Sequence, residues 1–198
     1  MTEEDKKILK QFEINSSIQE DDEAVKQVCY CIHPLPQSFM KKWADCLDWK
    51  IICTNQHLKN KFMDEMCDYI DFKMISWSQR LTEWFMDKWK NQLDWISISN
   101  RQEMSKEFII DHIEYIELEC LFANKKVRKY GEDFFRTLLE AKPHSTLYIP
   151  NLSFVNYNFS IDFVREFRSN FQIVSGKLIK SRERKDWKEF NIKSWSLT

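Results

Sequence analysis

Residues 94–109 read DWISISNRQEMSKEFI, and the pattern of this stretch returns every 23 residues along the chain. Residues 71–86 read DFKMISWSQRLTEWFM, and residues 48–63 read DWKIICTNQHLKNKFM. Equivalent positions stay apolar in four columns, which are Ile52/Ile75/Ile98/Leu121, Leu58/Leu81/Met104/Val127, Phe62/Phe85/Phe108 and Ile70/Leu93/Ile116/Leu139. A fixed period of this length is typical of stacked-repeat proteins, in which each repeat contacts mainly its neighbours. We therefore predict repeats at 48–70, 71–93, 94–116 and 117–139, preceded by a degenerate repeat at 25–47.

Each repeat is predicted to contain two helices joined by a tight turn. In repeat 48–70, the first apolar set follows i, i+3, i+4, i+7 spacing, and the second set follows a four-residue step up to Ile70. The break falls near 56–59, and Thr82 and Ser105 occupy the equivalent break in later repeats, where each is a good N-cap. We expect a short helix followed by a helix of about three turns. The predicted fold class is all-α, an α-solenoid of short helical-hairpin repeats with a divergent C-terminal cap.

A glutamine column recurs at the turn of the repeats, comprising Gln56, Gln79 and Gln102, with Lys125 at the fourth position. We hypothesise that each Gln side chain hydrogen-bonds backbone groups left open between the two helices.

The two ends of the chain differ from the repeats. Residues 1–24 form an acidic leader with a short helix expected near residues 8–12, and residues 140–198 form a divergent capping segment with a basic aromatic tail. Within that segment we expect residues 146–149 to be extended and residues 159–171 to reproduce the second half of a repeat. An imperfectly capped stack can also pair end to end, so a homodimer is expected as an alternative state.

Composition excludes several classes of protein. The chain has 198 residues, a formal net charge of -1 and only two glycines, whereas phosphate-binding loops need clustered glycines. The acidic start predicts no signal peptide, and no stretch is apolar enough for a membrane helix. We predict an intracellular protein of the host-cell cytoplasm or nucleus, with its six cysteines reduced.

The repeat resembles the tandem W-x-x-I-S-x-x-Q-x-L-S-x-x-F-I repeats found in many proteins of giant DNA viruses and in some phage proteins. Residues 94–109 are the nearest copy, and the resemblance covers 35–116 well and 25–139 weakly. Repeat 117–139 departs from it at Leu118, Phe122 and Lys125. The resemblance implies a viral origin and a helical repeat module, and it implies no catalytic residue.

Two groups of residues contain side chains that are suited to metal binding or nucleophilic catalysis. Cys29-x-Cys31-x-His33 has some character of a zinc site, and Cys53 with His57 lies at i, i+4 spacing, while His112 belongs to another repeat. Small or apolar residues fill the equivalent positions of sister repeats, so buried thiols explain both patterns more simply. The acidic pair at 64–65 is interpreted as a solvated face. We predict no enzyme activity, no metal and no cofactor.

Aromatic residues provide the candidate binding surface. Trp77 and Trp84 stand where sister repeats carry polar residues, so they are either interface anchors or local packing, whereas the column Trp43/Met66/Trp89/His112 is expected to be core packing. The tail adds the partner-binding candidates Trp187 and Trp195. The predicted function is a non-enzymatic viral protein–protein interaction module that presents a helical-repeat surface to a host or viral protein, in one version antagonising a host defence factor. The alternative is nucleic-acid binding by the tail through Lys180, Arg182, Arg184, Lys185 and Lys188.

Overall fold

A computed structural model describes residues 2–11, 27–30, 34–148 and 159–172. These residues form two compact halves, Met1–Asp94 and Trp95–Thr198. The N-terminal half contains α1 (Glu3–Gln11), α2 (Gln37–Lys42), α3 (Trp49–Asn55), α4 (Asn60–Glu65), α5 (Phe72–Ser78) and α6 (Glu83–Lys88). The C-terminal half contains α7 (Trp95–Arg101), α8 (Lys106–Asp111), α9 (Leu118–Ala123), a 3-10 turn (Arg128–Tyr130), α10 (Gly131–Ala141), β1 (Leu147–Tyr148), α11 (Ile161–Glu166), a second 3-10 turn (Arg168–Asn170) and β2 (Phe171–Gln172). The described fold is helical, as predicted, and none of its helices has the length and apolar character that crossing a bilayer requires.

Side-chain caps start the helices where the repeat pattern predicts them. The Asp48 carboxylate accepts the N–H groups of residues 50 and 51 at the start of α3, and the Asp71 carboxylate accepts the N–H of Met74 at the start of α5. Thr82 and Ser105 cap α6 and α8, which confirms both predicted caps. Because each cap satisfies N–H groups that lack a helical partner, these polar residues mark the helix starts.

The second helix is shorter than the predicted three turns in repeats 48–70, 71–93 and 94–116, where α4, α6 and α8 each contain 6 residues. In contrast, α10, which begins in repeat 117–139, contains 11 residues and has the predicted length. At Met66 the backbone leaves helical geometry (φ -104°, ψ 25°) and continues in turns. One of these turns keeps a hydrogen bond from Ile70 N to Met66 O, at 3.1 Å. Since that bond spans four residues like a helical bond, turn and helix share the same apolar spacing in the sequence.

The apolar columns form the core. Ile52, Ile75, Ile98 and Leu121 are fully buried, and every member of the other three columns is also buried. The column of Trp43, Met66, Trp89 and His112 is buried or half-buried, which confirms that it packs. Burial of the same positions in every repeat is what the repeat pattern requires.

The N-terminal end requires two corrections. The helix expected near residues 8–12 begins earlier, at Glu3, and buries Leu9. The 23-residue period predicts that Cys29 is equivalent to the buried Ile52. This prediction is wrong, because the Cys29 Sγ accepts the Asp48 N–H at 3.2 Å, the contact that Ser76 Oγ makes with Asp94. The separation is 19 residues in the first pair and 18 in the second, so the degenerate repeat carries one extra residue. The fully buried Val28 precedes Cys29 as Ile52 precedes Cys53.

The C-terminal end replaces the repeat with a different arrangement. Gly131 adopts φ 78°, a conformation that favours glycine, and α10 then runs for 11 residues. Strands β1 and β2 pair in parallel over two residues each, and β1 lies within the predicted extended stretch 146–149. Ser160 caps α11, whose residues Phe163 and Val164 are buried. Residues 160–166 therefore have the cap and the helix length of the second half of a repeat, and a displaced repeat that caps the stack stays a prediction.

Candidate functional site

Trp77 and Trp84 lie on the surface of the N-terminal half. Trp77 is on α5 and Trp84 is on α6, and each is 53% exposed. The sister positions are exposed as well, and they carry Thr54, Asn100, Lys61 and Glu107. The two tryptophans therefore replace polar residues at solvent-facing positions of the repeat.

The Trp84 ring is held by its neighbours. It contacts Phe85 edge-on, with 6.3 Å between ring centroids, and the Lys88 ammonium lies 5.5 Å from its centroid. Lys88 is in turn paired with Asp64 of the preceding repeat at 2.5 Å. An exposed aromatic ring held this way loses less conformational freedom when a partner covers it.

Asp64 and Glu65 each pair with a lysine of a neighbouring repeat. Asp64 accepts from Lys88 and from Trp89 Nε1, which lies 2.9 Å from Asp64 Oδ1. The hydrogen bond from Lys88 holds the pKa of Asp64 below its usual value. Glu65 pairs with Lys41 of the repeat before it, at 2.6 Å. Asp64 is half-buried, which the interpretation as a solvated face did not predict, whereas Glu65 is exposed as that interpretation requires.

Gln79 makes the central hydrogen bonds of a repeat junction. Its Oε1 accepts the Leu58 N–H at 3.0 Å, and its Nε2 donates to the carbonyls of Cys53 and Gln56 at 2.7 Å each. These groups lie between the two helices of the preceding repeat, α3 and α4. Gln56 accepts the Leu35 N–H at 2.8 Å in the same way. The bonding hypothesis is confirmed at both positions, with the added finding that the backbone belongs to the neighbouring repeat.

Asn124 takes the glutamine position in repeat 117–139. Its Nδ2 donates to the carbonyls of Ser99 and Gln102 at 2.9 and 2.8 Å, which are the equivalents of Cys53 and Gln56. The assignment of Lys125 to this column was wrong. Helix α9 ends at Ala123, and its 6 residues make it one residue shorter than α5. The amide therefore comes one position earlier in the chain.

A column of small side chains anchors each following repeat. The hydroxyl of Ser76 accepts the Asp94 N–H, and that of Ser99 accepts the Glu117 N–H, both at 3.0 Å. Phe122 fills the next position and packs on Phe135 with 4.6 Å between ring centroids. A phenyl ring cannot accept a hydrogen bond as the Ser76 and Ser99 hydroxyls do, so repeat 117–139 has no equivalent bond to a following repeat. The small residues were visible in the sequence, but nothing there revealed this role.

The cysteine and histidine candidates are not arranged as a nucleophilic pair. Burial raises the pKa of the Cys53 thiol to about 11, and the thiolate is the reactive form. The His57 side chain is exposed, whereas Cys53 is fully buried. His112 stacks on Phe108, with 4.1 Å between ring centroids, and its Nδ1 lies 3.0 Å from the Phe108 carbonyl. These contacts assign Cys53 and His112 to packing.

Several predicted site residues lie outside the described residues. In the zinc candidate, Cys29 is buried and accepts a backbone N–H, while Cys31 and His33 are not described. No group of three or more His, Cys, Asp or Glu residues suited to a metal occurs in the described part of the chain. The undescribed tail contains Trp187, Trp195, Lys180, Arg182, Arg184, Lys185 and Lys188. Their assignments stay predictions.

Comparison with known proteins identifies no related protein. No family model, curated protein or solved structure matches the chain.

Proposed function

We propose that this protein is a non-enzymatic protein–protein interaction module, and that Trp77 and Trp84 contact the partner. The proposal is carried by the exposure of two tryptophans at repeat positions that are polar elsewhere. Tryptophan is enriched at binding hot spots, and an exposed tryptophan leaves a large apolar area in water.

We further propose an α-solenoid as the scaffold that presents these residues. Within each half, an amide side chain of one repeat bonds the backbone of the repeat before it, through Gln79 in one half and Asn124 in the other. Ser76 and Ser99 make a second bond between successive repeats. Bonds that repeat with the period of the sequence support stacking of each repeat on its neighbour.

The resemblance to giant-virus repeats supports a viral setting for this activity. In that setting the partner is a host or viral protein in the cytoplasm or nucleus of the host cell, and antagonism of a host defence factor is one form of the proposed role. The chemistry of the surface restricts the partner further. It must offer apolar area for the two indole rings, and it must tolerate the Lys88 ammonium beside Trp84.

The expected contribution of the two rings follows from their exposed area. Burying a tryptophan removes about 150–250 Å² from water, so the exposed half of each ring corresponds to roughly 100 Å². At about 25 cal/mol per Å², each ring contributes about 2.5 kcal/mol when the partner covers it fully. Loss of both rings should weaken binding by roughly three to four powers of ten, since 1.4 kcal/mol corresponds to a factor of ten in Kd.

The test is a pull-down from host-cell lysate with the wild type and the Trp77→Ala/Trp84→Ala variant. Thr54→Ala/Lys61→Ala is the matched control, because it changes the same two positions one repeat earlier. We expect a defined protein that the control retains and the tryptophan variant loses, and calorimetry with that purified protein should give the change in Kd. Equal recovery by all three chains would contradict the proposal. Recovery that depends on nucleic acid, shown by loss after nuclease treatment, would favour the tail instead.

A further inference from the structure

A lysine–tryptophan pair ends the second helix of the third repeat and binds an aspartate of the repeat before it. Lys88 is the last residue of α6, and its Nζ lies 5.3 Å from the centroid of the Trp89 ring. Asp64 on α4 accepts from both residues, at 2.5 Å from Lys88 Nζ and 2.9 Å from Trp89 Nε1. This contact joins two successive repeats.

The same pair ends the second helix of the first repeat. Lys42 is the last residue of α2, and its Nζ lies 5.6 Å from the centroid of the Trp43 ring. The backbone angles match closely, with φ -108° and ψ 25° at Trp43 and φ -108° and ψ 18° at Trp89. Here the carboxylate that pairs with Lys42 belongs to Asp5 on α1. Helix α1 thus supplies to Lys42 the carboxylate that α4 supplies to Lys88, whereas Trp43 Nε1 is buried without a hydrogen-bond partner among the described residues.

Helix α1 has an inner face that packs and an outer face that does not continue the stack. Asp5 and Leu9, one helical turn apart, are 4% and 5% exposed. The other face carries exposed charges at Glu3, Glu4, Lys6, Lys7 and Lys10. Terminal elements of stacked-repeat proteins need such a polar outer face, because an open end exposes apolar columns to water.

The position of Asp5 is set by two sets of contacts. Thr2 and Asp5 form a capping box, in which the Asp5 N–H donates to Thr2 Oγ1 and the Thr2 N–H donates to Asp5 Oδ2. Burial raises the pKa of Asp5, but hydrogen bonds from Lys42 and Thr2 outweigh it and hold the pKa well below its usual range. The carboxylate therefore stays charged and both starts α1 and attaches it to α2.

We propose that α1 takes the place of a repeat helix. It closes the N-terminal end of the stack and keeps a second copy of the chain from pairing there. A second copy is the expected occupant, because two identical open ends form a self-complementary interface with twofold symmetry. This inference rests on the stacked arrangement proposed above and is independent of Trp77 and Trp84.

The test compares full-length variants by thermal melting and by light scattering over a range of concentrations. Lys42→Glu places two carboxylates together and should release α1, which lowers Tm by more than about 5 °C and doubles the mass at high concentration. Lys7→Glu is the matched control, since it makes the same charge change on the outer face of α1 and should leave both readouts unchanged. Asp5→Asn added to Lys42→Glu keeps a capping oxygen and removes the repulsion, so it should restore part of the Tm and the monomeric mass.

Two results would overturn the inference. If Lys42→Glu behaved like Lys7→Glu in both measurements, α1 would not be held by this contact. If it lowered Tm without any change of mass, α1 would be an ordinary part of the fold and would shield no self-association surface. Asp5→Asn alone should shift the mass in the same direction by a smaller amount, so the inference is tested even if Lys42→Glu does not fold.

Discussion

Gln79→Ala should destabilise the N-terminal half far more than the removal of an exposed amide. The wild-type side chain is buried and bonds three backbone groups of the preceding repeat. The Cys53 carbonyl would keep a second donor, the Ser78 hydroxyl at 2.6 Å. The Leu58 N–H and the Gln56 carbonyl would each lose the hydrogen bond that they make with the Gln79 amide.

The size of the effect follows from those two groups. A buried polar group left without a partner costs about 1–3 kcal/mol, so with two such groups the free energy of unfolding should fall by roughly 2–6 kcal/mol. For a chain of this length, such a loss lowers Tm by roughly 4–24 °C. Urea unfolding followed by circular dichroism measures the change, and an unchanged slope with denaturant would show that the same surface is exposed on unfolding.

Two variants separate bonding from packing. Gln92→Ala removes an exposed amide from the same half and should change stability by less than about 0.5 kcal/mol. Gln79→Met keeps most of the side-chain volume without the hydrogen bonds, so it should be nearly as destabilising as Gln79→Ala. If Gln79→Met were as stable as the wild type, the bonds would contribute nothing and the reasoning would be refuted.

Two further predictions concern the other junctions. Asn124→Ala should lower stability by about 2 kcal/mol, whereas Lys125→Ala should have little effect, because the structure assigns the bonding amide to position 124; equal effects in urea unfolding would contradict that assignment. The raised pKa of Cys53 predicts a loss of stability in alkali. Below about pH 8.5 the thiol is protonated in both states, but between about pH 8.5 and 11 the unfolded state loses its proton first, so unfolding becomes more favourable. Cys53→Ser, which introduces the hydroxyl found in the sister repeats, should lose less stability over this range, and parallel pH curves for the two chains would exclude the effect.

The local structure of the repeats could be predicted from the sequence because its causes are local. Apolar spacing defines which face of a short helix is buried, and the hydroxyls of Thr82 and Ser105 bond N–H groups only three residues away. The same reasoning singled out Trp77 and Trp84 as either interface anchors or local packing, because sister repeats carry polar residues at the equivalent sites, and the structure leaves both side chains 53% exposed. The helix lengths were predicted less well, since a turn with a four-residue hydrogen bond has the same spacing as a helix.

The partners of the polar side chains were decided only by the tertiary structure. Gln79 bonds groups 21 to 26 residues away, and Asp5 meets Lys42 at a separation of 37. Such pairs depend on the register in which one repeat lies on the next, and one extra or missing residue changes them, as Cys29 and Asn124 demonstrate. Periodicity in the sequence determines which residues are buried, but a hydrogen bond requires two atoms within about 3 Å, and that distance depends on how the repeats stack.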